Sequence, residues 1–152
     1  MKKTLFVALL ACFTMMFASC NKEKELNGTS WKTHTVVNQD MNMEGITATL
    51  NMTIDGTLKF TDATNGSMTL TTSGSMTAMG MTFPMDESTE TESFTYTFDG
   101  ESGVLTTTVE YGTTETMPFT YDKKENTLTF AINETDEETG ETLSFTLVFT
   151  EE

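Results

Sequence analysis

Apolar and polar residues alternate with a period of two along most of the chain that follows residue 30. Between Ile46 and Ile54, for example, every second residue is apolar, and threonine or asparagine fills each position between. This alternation is typical of antiparallel strands with one buried and one solvated face, and threonine suits the outward positions of a pleated sheet. The pattern predicts an all-β domain of about nine strands.

The predicted connections are short and carry hairpin signals, such as Asp55-Gly56 and Asp99-Gly100. Sequential hairpins without a long crossover form an up-and-down antiparallel meander. Because the pattern offers no helices to cover its apolar face, this sheet must close on itself or fold over a second sheet. We expect a barrel of about eight to ten strands, with a β-sandwich as the alternative. Threonine on one side of each strand disfavours an outer-membrane barrel, whose outer surface must be apolar.

The first residues have a different character. Lys2 and Lys3 precede a nearly unbroken apolar run over residues 5–18, which is too short to cross ~30 Å of hydrocarbon comfortably. The run leads into Phe17-Ala18-Ser19-Cys20, which resembles the lipobox of bacterial lipoproteins, with phenylalanine where leucine is more usual. An ordinary secretory signal that is cleaved before a cysteine is the alternative.

The lipobox resemblance implies a signal peptide helix over residues 1–19, cleavage between Ser19 and Cys20, and acyl chains on Cys20. Residues 20–27 would then form the acylated cysteine and a flexible tether, and residues 28–152 the barrel domain. Such a protein is expected in the bacterial cell envelope, held by lipid at the outer membrane. Whether it faces the periplasm or the cell surface stays open.

The chain has a formal net charge of −15 and no arginine. Because nucleic-acid binding requires lysine and arginine to neutralise phosphates, no nucleic-acid partner is expected. An acidic domain also gains nothing from anionic lipid headgroups, so membrane attachment requires the anchor. Cys12 lies in the leader, which leaves Cys20 as the only cysteine of the mature chain. An intramolecular disulfide and a cysteine-rich zinc site are therefore excluded.

Short motifs at both ends of the domain resemble the lipocalin-like lipoproteins within the wider calycin-like group. These are the Gly28…Trp31 pair in Leu26–Lys32, and Phe119–Asp122 followed by Thr127–Phe130. Two features depart from lipocalins, which separate the glycine and tryptophan by one residue and place a late arginine against the tryptophan. The resemblance implies a barrel that holds a small apolar ligand, with Trp31 closing its bottom. From the residues alone, Trp31 is a large inward side chain on the first strand.

The candidate cavity residues are large side chains with inward parity. They are Trp31, Met52, Phe60, Leu70, Phe94, Tyr96, Phe119, Tyr121 and Phe145. Aromatic residues this numerous could equally fill the barrel completely.

Catalytic signals are weak. His34 is the only histidine, and its parity is opposite to that of Trp31, which predicts a solvent-facing side chain. The chain carries no HExxH, GxSxG or glycine-rich phosphate motif, so we expect no enzymatic activity and no cofactor. The acidic loop Asp136-Glu137-Glu138 lacks the ligand spacing of calcium loops and is interpreted as solvated.

Methionine is unusually frequent, and four of the 12 methionines cluster at Met76, Met79, Met81 and Met85. Thioethers bind Cu(I), but methionine also fills irregular interiors and adaptable apolar pockets. Gly74 and Gly80 allow a bend or bulge in this region, and Pro84 indicates an edge or a strand end.

Three hypotheses follow from these features. The barrel binds a small apolar ligand or a partner; or the methionines handle Cu(I); or the domain is a structural or adhesive surface module with a filled core.

Overall fold

The computed structural model describes residues 24–43, 45–108, 113–135 and 142–152. The described chain is all-β and confirms the predicted meander, because eight antiparallel strands follow one another around a closed barrel. The strands are β1 (Ser30–Met43), β2 (Ile46–Phe60), β3 (Asn65–Ala78), β4 (Met81–Phe98), β5 (Ser102–Thr108), β6 (Thr114–Asp122), β7 (Thr127–Thr135) and β8 (Thr142–Glu151). The expected signal peptide helix, Ser19 and Cys20 lie outside the described residues. Within them, no helix is long and apolar enough to span a membrane.

The predicted turn at Asp55-Gly56 is wrong, which accounts for one strand fewer than expected. Strand β2 runs through both residues, and Gly56 pairs with Thr33 on one side and Leu70 on the other. A β-carbon on Gly56 would lie 2.7 Å from Leu70 Cδ2 and 2.8 Å from Thr33 Cγ2. Glycine is therefore needed here for close packing inside the barrel and not for a change of direction.

Asp99-Gly100, in contrast, forms the predicted turn between β4 and β5. Gly100 has a φ of 95°, in the region that favours glycine. The Asp99 carboxylate accepts hydrogen bonds from the backbone N–H groups of Glu101 and Ser102. These bonds stabilise the ionised carboxylate and lower the pKa of Asp99 below its ordinary value.

We call the end where β1 begins and β8 ends the base, and the opposite end the open end. Near the base, aromatic side chains from β2, β4, β6, β7 and β8 fill the interior. Phe60 meets Tyr96 with 4.7 Å between ring centroids, and Phe130 lies 5.2 Å from Phe119 and 5.4 Å from Phe149. The buried rings and the leucines between them form one hydrophobic cluster, so this half of the barrel is solid.

Two inward glycines make room for these rings. Gly66 is the register partner of Phe94, and Gly103 is the register partner of Phe119. A β-carbon on either glycine would overlap the phenylalanine ring across the ladder and a backbone carbonyl of the other neighbouring strand. Each ring therefore covers a glycine, and the ring and the glycine must be present together.

The backbones of β1 and β8 pair only near the base, through Trp31–Glu151 and Lys32–Thr150. Further along, the side-chain amide of Gln39 joins the two strands. Its Nε2 donates to the Thr142 carbonyl at 2.6 Å, and its Oε1 accepts from the Ser144 N–H at 3.1 Å. One side-chain amide therefore takes the place of a peptide group in the ladder and limits the opening of this seam.

Two residues that precede residue 28, the domain boundary expected from the sequence, contact the barrel. Leu26 is buried in the core, and Lys24 Nζ lies 2.6 Å from Glu151 Oε2 and 5.4 Å from the centroid of the Trp31 ring. A cation thus packs against the tryptophan although the chain has no arginine. The described contacts that close the barrel, form its core and join its base lie within residues 24–152. A segment with its own closed sheet and hydrophobic core is an independent folding unit.

Glu151 is the centre of the contacts at the base. It accepts hydrogen bonds from Lys24 and from Asn126 Nδ2 at 2.8 Å, and Asn126 in turn accepts from the Tyr121 hydroxyl. The hydrogen bond from Lys24 is the largest cause that holds the pKa of Glu151 below its ordinary value, and the bond from Asn126 is the next. The ionised carboxylate therefore joins the N-terminal segment, β8 and the β6–β7 turn.

Replacing Gly103 by alanine should destabilise the domain by about 1–3 kcal/mol, because the added methyl group overpacks the Phe119 ring and a backbone oxygen. Chemical denaturation measures the effect. The change Val148→Thr, at a 43% exposed position on the outer face of β8, adds no inward atom and serves as the control. The double variant Gly103→Ala/Phe119→Leu should lose less stability than the sum of the losses in the two single variants. Full additivity would contradict the assigned contact.

Acid should weaken the base through Glu151. Since its folded-state pKa is depressed, its contribution is present above the ordinary value of 4.5 and is lost as pH falls through the folded pKa. We expect Glu151→Gln to lose less stability than the unmodified chain between pH 5 and about pH 3. Thermal unfolding over this range measures the difference. Lys24→Met should reduce the acid loss in the same direction, whereas an unchanged pH profile in both variants would refute this role for Glu151.

Candidate functional site

The strands are unequal in length, which separates the open end from the solid base. Strands β1 to β4 have 14–18 residues, whereas β5 to β8 have 7–10. In the described chain, pairing of β4 with β5 ends at Phe94–Thr107. The first four strands therefore project past the others as a sheet. We call this projection the blade and define it as residues 39–43, 46–51, 73–78 and 81–88.

A cleft of about 340 Å³ opens just above the aromatic core, between β6 and β7. Its inward-facing apolar lining comes from Met68, Leu105, Met117 and Ile132. The remaining lining residues are Glu92, Thr107, Glu115, Thr116, Pro118, Ala131, Asn133 and Glu134. The cleft thus has an apolar floor, and carboxylates stand at its rim.

Pro118 explains why β6 and β7 separate at this point. The two strands pair only at Thr120–Thr129, Tyr121–Leu128 and Asp122–Thr127. The Tyr121 N–H donates to the Glu101 carbonyl on the β5 side at 2.7 Å. Because successive N–H groups of a strand alternate between its two neighbours, the nitrogen of Pro118 faces β7 and has no hydrogen to donate. The ladder between β6 and β7 therefore ends at Thr120–Thr129, before it reaches Pro118. The cleft lies in the gap between the two strands beyond that pair.

The residues predicted to line a cavity all lie in or against the core. Trp31, Phe60, Phe94, Tyr96 and Phe119 are buried, and Met52, Leu70, Tyr121 and Phe145 pack against them partly buried. None of these nine residues lines the cleft between β6 and β7. The structure brings them together as the filling of the base, and their contact with a ligand stays a prediction.

Sequence reasoning missed the residues that do line the cleft. The four apolar residues of the cleft floor have the same inward parity as the predicted cavity residues. Parity alone therefore could not separate residues that line the cleft from residues that fill the core. Two signals were available. Pro118 breaks the ladder within an otherwise alternating strand, and Glu92, Glu115 and Glu134 put charge at inward positions. Charge at an inward position indicates that the interior is open to water there.

A bulge in β4 decides which residues share a face of the blade. Thr72 pairs with Ser88 and Gly74 with Met85, so Asp86 and Glu87 together lie opposite Ser73. The extra residue reverses the parity of β4. As a result, Met81, Phe83 and Met85 lie on the same inward face as Phe94 and Tyr96, although their numbers are odd and those of the aromatic pair are even.

The methionine cluster lies on this blade. Met76 pairs with Phe83, and Met81 and Met85 lie on either side of Phe83 on β4, about 13 Å apart at ~3.3 Å per residue. Met79 lies in the turn at the tip, where its φ is 53° and its side chain is 74% exposed. Copper binding by these thioethers stays a prediction. Among the described residues, no group of three or more His, Cys, Asp or Glu side chains is placed to hold a metal ion.

Two candidates from the sequence remain, His34 and the acidic loop. His34 is exposed, as predicted from its parity, and its Nδ1 lies 2.7 Å from Asp55 Oδ1 across the β1–β2 ladder. This pair sits on the outer surface, away from the cleft. The loop Asp136-Glu137-Glu138 lies outside the described residues.

Charge is distributed unevenly between the two ends. All lysines in the described ranges lie at or near the base: Lys24, Lys32, Lys59, Lys123 and Lys124. The cleft rim and the adjoining part of β4 carry Asp86, Glu87, Glu90, Glu92, Glu115 and Glu134. The described open end therefore has a negative potential that no local cation offsets.

No protein-family model, curated protein or solved structure matches the chain. The closed eight-stranded antiparallel barrel is consistent with a lipocalin-like barrel at the level of architecture.

Proposed function

We propose that this protein is a non-enzymatic lipoprotein of the bacterial cell envelope, anchored by acyl chains on Cys20, whose barrel binds a small and mainly apolar molecule. The observation that carries the proposal is the cleft between β6 and β7, with Met68, Leu105, Met117 and Ile132 as its floor. Ligand sites are concave, mainly apolar and furnished with a few polar groups, and they commonly lie in the mouths of barrels.

The chemistry of the rim narrows the ligand class. Glu92, Glu115 and Glu134 line the cleft without a cation among its lining residues. An anionic ligand such as a fatty acid would be repelled here, whereas a neutral or positively charged one is accepted. The volume of about 340 Å³ lies at the lower end of the range of small-molecule sites, which favours a compact ligand.

The arrangement of the two ends suits an anchored binder. The chain enters the domain at the base, where Lys24 and Leu26 are fixed against the barrel. The cleft lies on the opposite side of the aromatic core from the base. A tether from Cys20 would therefore place the core between the membrane and the cleft, which stays accessible to a diffusing ligand.

Binding can be tested with residues 21–152 and the neutral fluorescent probe N-phenyl-1-naphthylamine. We expect saturable binding, and the double variant Met117→Gln/Ile132→Thr should weaken it about tenfold, or ~1.4 kcal/mol, because apolar contact is lost at the floor. Fluorescence titration gives both dissociation constants. Val148→Thr changes an apolar side chain that is 43% exposed on the outer face of β8 and should leave binding unchanged.

The absence of saturable binding, or equal affinity in the double variant, would reject the cleft as the site. That result would favour the structural or adhesive module with a filled core. Circular dichroism and thermal unfolding of each variant exclude loss of fold as the cause of weaker binding.

The anchor is tested separately in the bacterial host. The full-length chain should sediment with membranes, and Cys20→Ser should move it to the soluble fraction, because burial of acyl chains contributes ~0.8 kcal/mol per methylene group. Fractionation followed by immunoblotting measures the distribution. Cys12→Ser, which alters only the leader, should stay with the membranes. A Cys20→Ser protein that still sediments with them would show that lipidation of this cysteine is not the anchor.

A further inference from the structure

We propose that the inward face of the blade is a docking surface for a cationic amphipathic peptide segment. This interaction goes beyond the small-molecule cleft, with which it shares only Glu92. Its apolar part is formed by Ile46, Met81, Phe83 and Met85, which are 42%, 57%, 50% and 40% exposed. Its polar part is formed by Glu90 and Glu92, which lie further along β4 on the same face.

The bulge in β4 places the two parts side by side. Glu90 and Glu92 pair with Leu70 and Met68, so they lie on the inward face. Met85 and Phe83 pair with Gly74 and Met76, which continue the same face of β3 beyond the bulge. A ligand that lies along β4 therefore meets exposed apolar side chains first and carboxylates next, without crossing to the other side of the sheet.

The side chains of the apolar part suit an adaptable surface. Methionine is flexible and polarisable, and Met76, Met81 and Met85 surround the exposed ring of Phe83. Methionine-rich surfaces accept varied apolar side chains, and an acidic border selects partners that also carry lysine or arginine. An amphipathic segment with one apolar and one basic side supplies both complements.

Charge and edge geometry disfavour the other occupants. A second copy of the chain would bring the same carboxylates against Glu90 and Glu92, and an anionic lipid surface would be repelled in the same way. Strand addition to the free edge of β4 is hindered by Pro84. Because Tyr96 N–H points to the β3 side and the bulge reverses the alternation, the nitrogen of Pro84 faces the free edge and cannot donate.

The surface is also far from the base. Strand β1 has 14 residues, so the blade tip lies about 43 Å along the strand from Ser30 at ~3.3 Å per residue. All described lysines are near the base. A cationic segment can therefore approach the blade without passing a positively charged surface of this protein.

The test uses residues 21–152 and a fluorescently labelled 18-residue peptide of leucine and lysine, patterned as an amphipathic helix. A scrambled peptide of the same composition and a leucine–glutamate version are the peptide controls. Fluorescence anisotropy should show saturable binding of the patterned cationic peptide, weaker at high salt. The variant Met81→Thr/Phe83→Thr/Met85→Thr should weaken it at least tenfold, and Glu90→Gln should weaken it and reduce the salt dependence.

The matched control is Val36→Thr/Val148→Thr, which alters apolar residues that are 58% and 43% exposed on the outer face. It should leave peptide affinity unchanged. Residues 81, 83, 85 and 90 do not line the cleft, so naphthylamine binding should persist in both test variants, which keeps this result separate from the proposed function. Methionine methyl NMR of the unmodified protein gives a second measurement, in which Met81 and Met85 resonances should shift when the peptide is added.

Equal affinity for the scrambled peptide would show general charge attraction and overturn the proposal. Unchanged binding in the triple variant, or unshifted methionine resonances, would also overturn it. Analytical ultracentrifugation tests whether a second copy of the chain occupies the surface. A dimer that becomes a monomer in the triple variant would assign the surface to a second copy and overturn the proposal.

Discussion

The two-residue period of side chains across the strands is the constraint on which the rest of this structure depends. Each strand must keep one parity toward the interior, since a shift of one residue would exchange its apolar and threonine faces. In β2 this requirement holds without interruption from Ala48 to Phe60. Gly56 occupies an inward position of that series, where the approach of Leu70 and Thr33 leaves no room for a side chain.

The same constraint explains the bulge in β4. The apolar residues near the tip of this strand are odd-numbered and those near the base are even-numbered, so a regular strand could bury only one set. Two residues opposite Ser73 correct the phase. They also place Asp86 and Glu87 in a bulge on a strand that has a free edge there in the described chain, where charge and irregularity oppose pairing with other strands.

How far the sequence predicts the molecule follows from what periodicity can report. It reports which face of a strand is buried, and this was sufficient for the fold class, the meander and the inward set that includes Phe60 and Phe119. It does not report how far along the barrel a residue lies. The sequence therefore could not distinguish Phe119, which fills the base, from Met117, which lines the cleft one inward position away. That distinction depends on strand length and on Pro118. The missing N–H of Pro118 interrupts a ladder only where β7 lies beside it, and periodicity does not report which strand lies there.

Unequal strand lengths turn one closed sheet into two environments. At the base, eight strands surround a set of rings large enough to exclude solvent, and glycines at positions 66 and 103 make room for Phe94 and Phe119. In the described part of the chain the wall is incomplete beyond the end of β5, so the same inward face that is dry below becomes accessible above. A side chain there need not be apolar, which is why glutamates occupy inward positions at the rim. The combination of exposed methionine and uncompensated carboxylate on one face is thus a consequence of where the barrel stops, and it gives that face a preference for ligands that are both apolar and basic.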